Sequence, residues 1–167
     1  ENFGGVTATA GNIVIATGFY DNPSLGRPSS NGVMVVFSAT SGEPVALLKD
    51  EGWLTDMRTG IGGAITTIEL APKNAKNVLL IGTGLQCRFQ ADCLSRLSPD
   101  IYKYSVWGRS LGSAKKACED LSSKGLEIKP ATDLEEEVKK ADIIITTTPS
   151  KEHIVRNSWV SASTHIT

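Results

Sequence analysis

The chain has 167 residues, of which 40% are hydrophobic and 21% charged, and its formal net charge at pH 7 is −1. These values are typical of a globular protein and exclude a disordered or fibrous chain. Lysine and arginine never cluster beyond two in a row, so neither a nucleic-acid partner nor an anionic membrane surface is predicted. The apolar runs are also far shorter than the ~18 residues that a membrane span needs.

The three cysteines and two histidines predict neither a disulfide framework nor a metal site. Cys87, Cys93 and Cys118 are odd in number and lack the CxxC spacing of zinc ligands. This pattern favours a reducing compartment, so we expect a cytoplasmic protein. The chain begins with Glu1, and "SASTHIT" at its end resembles a strand still under way. We therefore expect a fragment of a longer protein.

Residues 1 to about 50 predict a β-rich region. "NIVIATGFY" and "GVMVVFSA" are β-branched runs, and the Pro, Ser, Asn and Gly residues of "DNPSLGRPSSN" predict a loop between them. A hairpin turn at Ser41 and Gly42 is expected to lead into another strand.

Residues 54–70 predict a helix with Thr55 as its N-cap. Gly60, Gly62 and Gly63 lie inside it, and each costs a helix up to about 1 kcal/mol relative to alanine. Three glycines in one helix suggest that another element packs closely against it.

Strands and helices alternate in the rest of the chain. The predicted strands are "VLLIG", "YKYSVWG", "LEIKP" and "DIIITTT", followed by a last strand at 164–166. The helices between them are predicted at 85–97, at 111–123 and in "ATDLEEEVKKA", where Thr132 and Glu135 have capping-box spacing.

This alternation predicts a parallel sheet with right-handed crossovers, and the continuous apolar strands fit a sheet that is covered on both faces. We therefore predict an α/β fold with a Rossmann-type dinucleotide-binding domain over 71–167, incomplete at its C-terminus. Residues 1–70, including the linking helix 54–70, are predicted to form part of a second, β-rich domain.

The sequence "NVLLIGTGLQCRF" (77–89) joins a predicted strand to a predicted helix through a glycine loop. Gly82 and Gly84 match the first two glycines of the GxGxxG pattern, and Cys87 takes the third position, which needs a small residue for helix packing. A helix N-terminus after such a loop attracts phosphate. The β-α-β context favours a dinucleotide site, and the alternative is an ordinary strand-to-helix turn.

The residues after the second strand of this region predict the choice of cofactor. An acidic residue there would bind the ribose 2′-hydroxyl of NAD, but the sequence reads "VWGRS". Arg109 can pair with a 2′-phosphate, with Ser110 beside it, which favours NADP over NAD; the alternative is a solvated arginine. "TTTPS" (146–150) ends the fourth strand at the edge where open α/β sheets bind ligands.

Seven segments together resemble the ornithine cyclodeaminase/mu-crystallin family. They are "ATGFYDNPSLGRPSSNG", "SGEPVALL", "LTDMRTGIGGAITTIELAP", "LLIGTGLQCRFQ", "VWGRS", "ADIIITTTPS" and "THIT", and they cover almost the whole chain in order. The resemblance implies a two-domain NAD(P)-dependent oxidoreductase that dimerises through its substrate domain, here residues 1–70. Its chemistry would be hydride transfer between nicotinamide and the α-carbon of an imino or amino acid, such as a cyclic ketimine or ornithine.

The resemblance also implies site residues. Arg58, in the first turn of its helix, would hold the substrate carboxylate, with Thr59 assisting as a hydroxyl donor. The positions that match cofactor contacts are Gly82, Thr83, Gly84, Leu85, Gln86, Arg109, Ser110, Ser113, Thr148 and Pro149, together with Ser29 and Ser30 on the nicotinamide side.

Two departures from the family affect catalysis. Val14 stands where the family carries a lysine that helps bind the carboxylate and moves protons. The family's catalytic aspartate follows the "HI" strand, in a segment that this sequence lacks. No catalytic residue is therefore assigned, and the alternative is a catalytically impaired fragment or a non-enzymatic protein that binds NADP or a small ligand. His153 is expected in an exposed loop, and His165 as a packing residue.

Overall fold

The computed structural model describes residues 3–9, 12–18, 22–28, 30–99 and 103–167. Its contacts divide the chain into two compact units, Glu1–Asp56 and Met57–Thr167. Helix α1, Trp53–Leu70, begins in the first unit and continues into the second. The predicted domain boundary after residue 70 stays a prediction.

The first unit contains an antiparallel sheet in which neighbours along the chain are neighbours in space. Gly42, with φ +73°, lies in the turn between the last two strands, where the Ser38 N–H donates to the Glu43 carbonyl at 2.9 Å. This turn confirms the predicted hairpin. The register places Val14 opposite Thr7 and Met34. The strands are β1 (Phe3–Thr9), β2 (Asn12–Gly18), β3 (Ser30–Phe37) and β4 (Pro44–Leu48), and a short 3-10 helix covers Asn22–Leu25.

The second unit contains the predicted parallel sheet, in the order β7-β6-β5-β8-β9. All four neighbouring strand pairs are parallel. An α-helix joins each of the first three strands to the next, and a short 3-10 helix, Asn157–Trp159, lies between the last two. This is the doubly wound arrangement, so the predicted α/β fold with a Rossmann-type sheet is confirmed. The strands are β5 (Asn77–Ile81), β6 (Lys103–Trp107), β7 (Ile128–Pro130), β8 (Ile143–Thr146) and β9 (His165–Ile166); the helices are α2 (Leu85–Leu97), α3 (Leu111–Ser122) and α4 (Leu134–Lys140).

Strand β5 has core packing on both of its faces. Val78 and Leu80 belong to one buried cluster, which includes side chains of α1, α2 and α3. Leu79 and Ile81 alternate with them and belong to a second cluster, which includes Val138 of α4. Because successive strand residues point to opposite faces, a fully apolar run is the pattern of a central strand with helices on both sides.

Two glycines of α1 allow this helix to approach α2 closely. A Cβ on Gly60 would lie 2.9 Å from the Phe89 carbonyl oxygen, and one on Gly63 would overlap the Gln90 side-chain amide. Gly62 faces open space. The expected close packing is therefore confirmed for Gly60 and Gly63, and Gly62 takes no part in it.

The structure corrects both predicted N-caps. Helix α1 begins at Trp53, so Thr55 lies inside its first turn, and the Asp50 carboxylate accepts from the Leu54 N–H at 2.6 Å. In α4 the N-cap is Asp133, one residue after Thr132, and its carboxylate accepts from the Glu136 N–H at 2.9 Å. None of the helices in the described part of the chain is long and apolar enough to cross a bilayer.

Candidate functional site

A cleft of about 430 Å³ opens at the carboxyl ends of β5, β6 and β8. Strands β6 and β8 flank β5, so the chain leaves the centre of the sheet in opposite directions at this point. Such a switch point is where doubly wound sheets bind their ligands. The cleft is lined by Gly82, Thr83, Gly84, Trp107, Gly108, Arg109, Thr147, Thr148, Pro149, Ser150, Glu152, His153 and Ile154.

The turn after β5 requires glycine at position 82. Its φ is +121°, a backbone conformation that residues other than glycine rarely adopt. A Cβ there would also lie 2.5 Å from the Thr147 hydroxyl oxygen and 2.9 Å from the Thr147 carbonyl oxygen. The Gly82 N–H donates to the Trp107 carbonyl at 2.9 Å. Gly82 therefore serves the tight turn, as predicted, and allows the loop after β8 to approach.

Gly84 has a different environment. A Cβ there would meet nothing within 4 Å, and its backbone is extended, with φ −82° and ψ −167°. No packing against the described residues requires glycine at this position. The bare backbone instead leaves space in front of the first turn of α2, as the predicted close approach of a phosphate would need.

The N-terminus of α2 has no side-chain cap and no acidic residue in its first turn. The next two helices differ, because Ser110 caps α3 and Asp133 caps α4 through their side-chain oxygens. The first N–H groups of a helix have no intrahelical partner, and the helix dipole makes this end attractive to anions. The α2 N-terminus, next to a glycine that lines the cleft, is therefore suited to a phosphate group.

Six of the predicted cofactor-binding residues line the cleft: Gly82, Thr83, Gly84, Arg109, Thr148 and Pro149. Arg109 is exposed and forms no ion pair with any residue of the described chain.

The other predicted residues lie elsewhere. Leu85 and Gln86 begin α2 outside the lining, while the Ser110 hydroxyl accepts from the Ser113 N–H at 3.4 Å at the start of α3. Ser29 lies outside the described residues, and only the backbone of Ser30, in β3, is described.

The predicted substrate ligands, Arg58 and Thr59, lie on α1. The expected place of Arg58 in the first turn is wrong, because the helix begins five residues earlier, at Trp53. Arg58 is exposed, and neither residue is part of the cleft lining. Their role stays a prediction.

Sequence reasoning missed two residues that shape the glycine loop. Thr147 packs against Gly82, and the Arg88 guanidinium donates to the carbonyls of Thr83 and Gly84. Thr147 lies far from the loop in sequence, and the segment "TTTPS" predicted its place at the binding edge but not its contact with Gly82. Arg88 follows Gly84 by four residues, the spacing at which side chains share one face of a helix, and this spacing was the available signal.

Cys87, at the third position of the motif, is fully buried. Burial raises the pKa of its thiol to about 12, and the nearby Arg88 charge only partly opposes this effect. The thiol therefore stays protonated at neutral pH, which fits a packing role for a small residue between helix and strand. All three cysteines are free and buried, and the described residues contain no group of three or more side chains that could hold a metal.

The histidines are placed differently. His153 is exposed, as expected, and it also lines the cleft. His165 is partly buried in β9, where its Nε2 lies 2.6 Å from the Thr167 hydroxyl oxygen. Partial burial lowers the pKa of His165.

The doubly wound sheet, the glycine turn and the uncapped helix beside a switch-point cleft define a Rossmann-type domain, the class of fold that binds dinucleotides. The sequence model of the ornithine cyclodeaminase/mu-crystallin family matches residues 7–167. The chain belongs to this family, which confirms the resemblance.

Three similar proteins span the chemistry named within the family. An uncharacterized cyclodeaminase of Sinorhizobium fredii is 37% identical over 156 residues, covering 93% of this chain and 47% of the relative. The structure of Thermococcus litoralis Delta(1)-pyrroline-2-carboxylate reductase with NADH and L-proline is 32% identical, with a TM-score of 0.83 over 93% of this chain and 48% of that one. An archaeal alanine dehydrogenase dimer with bound NAD is 29% identical, with a TM-score of 0.84 over 98% and 50%.

This chain spans about half the length of the curated relatives that it matches. The curated relatives include a Delta(1)-pyrroline-2-carboxylate reductase, and the two solved relatives, a reductase and a dehydrogenase, hold NADH and NAD.

Proposed function

We propose that this chain binds a nicotinamide dinucleotide in the cleft at the carboxyl ends of β5, β6 and β8. It does so as part of an oxidoreductase that transfers hydride to or from the α-carbon of an amino or imino acid. The observation that carries the proposal is the N-terminus of α2, which has no side-chain cap and follows Gly84. Gly84 itself lines this cleft, and a Cβ on it would have free space. The NADH and NAD in the two solved relatives support the cofactor class.

Different residues of the chain would contact different parts of the cofactor and the substrate. The N–H groups at the start of α2 would hold the pyrophosphate, since they have no side-chain partner acting as a cap. Thr148 and Pro149 would bound the cleft on the β8 side. When bound, the nicotinamide supplies the hydride donor or acceptor. Arg58 would hold the carboxylate of the substrate, a role that its planar, permanently charged guanidinium suits.

We propose NADP as the preferred cofactor. Arg109 lines the cleft directly after β6, where a ribose 2′-substituent lies in this class of fold, and no acidic residue occupies that position. Arg109 also has no ion-pair partner in the described part of the chain, so its charge is available to a phosphate. NAD is the alternative, because it is the form named in the solved relatives.

A substitution at Gly84 tests the proposed site without weakening the fold. Gly84→Asp adds a capping carboxylate to α2 in a position with free space, so we expect the free energy of unfolding to rise by about 0.5 to 1 kcal/mol. The same carboxylate would repel a pyrophosphate, so the Kd for NADPH, measured by fluorescence titration, should rise at least about tenfold.

Ala162→Asp is the matched control for Gly84→Asp. It adds the same charge in an exposed segment before β9, on the side of the sheet where the strands begin, whereas the cleft lies where they end. We expect its Kd for NADPH to stay within about twofold of the wild type, because charges this far apart in water are screened. Unchanged NADPH binding by Gly84→Asp would refute the proposed site.

Arg109→Gln tests the cofactor preference. It removes the charge but keeps a polar side chain, so we expect weaker binding of NADPH by about tenfold and a change of less than threefold for NADH. An equal loss for both cofactors would contradict the proposed pairing of Arg109 with the 2′-phosphate.

A second candidate function is a non-catalytic protein that binds the dinucleotide or a small ligand. Val14, in β2, favours it, because valine has no titratable proton at the position where the resemblance expects a lysine. Reduction of cyclic imines by the protein and by Val14→Lys separates the two candidates. Turnover by the wild type supports the oxidoreductase, whereas NADPH binding without turnover by the wild type supports the binding protein. Turnover that appears only in Val14→Lys would assign the loss of catalysis to this position. A homodimer is proposed on the resemblance alone, and a cytoplasmic location on the cysteine pattern alone.

A further inference from the structure

Arg88 connects the glycine loop to the neighbouring helix α3. It lies in α2 one turn after Gly84, and its side chain is only 20% exposed. Its Nη1 donates to the Thr83 carbonyl at 2.6 Å and to the Gly84 carbonyl at 3.0 Å. Two successive carbonyls of the loop are therefore held toward one side chain.

Asp120 of α3 holds the guanidinium of Arg88 in place. Its Oδ2 accepts from Nε at 2.9 Å and from Nη2 at 2.6 Å. All three guanidinium nitrogens are thus engaged within the protein, and an ion pair balances the positive charge. Four of its five N–H donors are thus used on the loop carbonyls and on Asp120, so Arg88 acts on the shape of the loop.

The hydrogen bonds to the two carbonyls act together with the helix geometry at the N-cap Gly84 to orient the loop's N–H groups. A trans peptide is planar, with its N–H directed opposite to its C=O, and the described residues contain no cis peptide bond. Turning the Thr83 and Gly84 carbonyls toward Arg88 therefore turns the N–H groups of Gly84 and Leu85 to the other side. These two N–H groups belong to the N-cap and the first residue of α2, at its end without a side-chain cap.

We infer that Arg88, held by Asp120, is a positioning residue that orients the Gly84 and Leu85 N–H groups toward the pyrophosphate of the dinucleotide. The inference rests on the proposed function, since it names the residue that prepares that site. Oriented donors bind an anion without a further ordering cost. Loss of the Arg88 hydrogen bonds to the loop should therefore weaken dinucleotide binding even where the fold persists.

The experiment compares NADH and NADPH binding by the wild type, Arg88→Met, Arg88→Lys and Asp120→Asn. Arg96→Met is the matched control, because Arg96 lies on the same helix and pairs with Asp92 at 2.8 Å, at the end away from the loop. We expect Arg88→Met to raise both Kd values about tenfold or more, and Arg96→Met to change them less than twofold.

Rescue by the conservative variant separates positioning from general stability. Arg88→Lys keeps one cationic donor for the loop carbonyls, so we expect it to recover part of the affinity lost in Arg88→Met. Asp120→Asn should weaken binding about threefold. If Arg88→Met does not fold, an Arg88→Lys or Asp120→Asn protein that binds as tightly as the wild type would overturn the inference.

The spectroscopic signature of the inference lies in the amide NMR signals of Gly84 and Leu85. They should shift on addition of NADH in the wild type and in Arg96→Met, and much less in Arg88→Met. Equal affinities and equal shifts for Arg88→Met and Arg96→Met would overturn this inference alone. Absence of any dinucleotide binding by the folded wild type would overturn the proposed function and the inference together.

Discussion

Replacing Gly60 and Gly62 by alanine, one at a time, tests the contact between α1 and α2. Both glycines lie inside α1, and the structure gives them opposite environments. A Cβ on Gly60 would lie 2.9 Å from the Phe89 carbonyl oxygen and 3.1 Å from the Cys93 sulfur, whereas one on Gly62 would meet nothing within 4 Å. The two variants add the same methyl group to the same helix, so their difference reports the packing.

The expected magnitude follows from two opposing effects. Alanine is favoured over glycine in a helix interior by up to about 1 kcal/mol, which should stabilise Gly62→Ala by that amount. Gly60→Ala has the same gain, but the Phe89 carbonyl belongs to the backbone of α2 and cannot rotate away. Forcing an extra methyl group into a packed contact costs about 1 to 3 kcal/mol. Because the helix term cancels, Gly60→Ala should be less stable than Gly62→Ala by that same 1 to 3 kcal/mol.

The assay is thermal and urea unfolding followed by far-ultraviolet circular dichroism, on both variants and the wild type. At this chain length a gap of 1 to 3 kcal/mol corresponds to a difference in Tm of about 2 to 12 °C. A Gly60→Ala protein that is as stable as Gly62→Ala would refute the reasoning, because it would mean that α1 and α2 do not approach through Gly60.

Two further predictions concern titratable groups. Partial burial would raise the pKa of Asp142, but hydrogen bonds from the N–H groups of Lys76 and Asn77, both 2.9 Å, outweigh it and lower the pKa below its ordinary value of 3.8. Asp142→Asn should therefore lower the free energy of unfolding by about 1 kcal/mol at pH 7. Urea unfolding should show this loss vanishing as the pH falls through the lowered pKa, because the wild-type carboxylate is then itself protonated. A cost that is the same at every pH would contradict the assignment. Because burial raises the pKa of Cys87 to about 12, its thiol should react with a disulfide reagent at pH 8 only after unfolding in urea, and rapid labelling of Cys87 in the folded chain would contradict its burial.

The first residues of the helices could be predicted from local sequence patterns only to within one or two positions. Thr132 and Asp133 are adjacent residues that both suit an N-cap, and the structure uses Asp133. Thr55 fails for a similar reason, because the chain enters the helical conformation two residues earlier, at Trp53. The choice between neighbouring caps depends on where the chain leaves its previous element, and a sequence pattern does not contain that information.

The alternation of strands and helices, the parallel sheet and the glycine turn after β5 were all predictable from the sequence. These features rest on local physics: apolar runs predict buried strands, and a glycine is needed where a side chain has no room. The role of each glycine, by contrast, depends on contacts between elements that are distant in the sequence. Gly82 is required by Thr147, 65 residues away, and Gly60 by a helix that follows in the chain, while none of the residues that the structure describes requires glycine at position 84. Likewise, Arg88 reaches Asp120 across 32 residues because α2 and α3 lie side by side, and the hydrogen bonds that shape the loop exist only once both helices have packed.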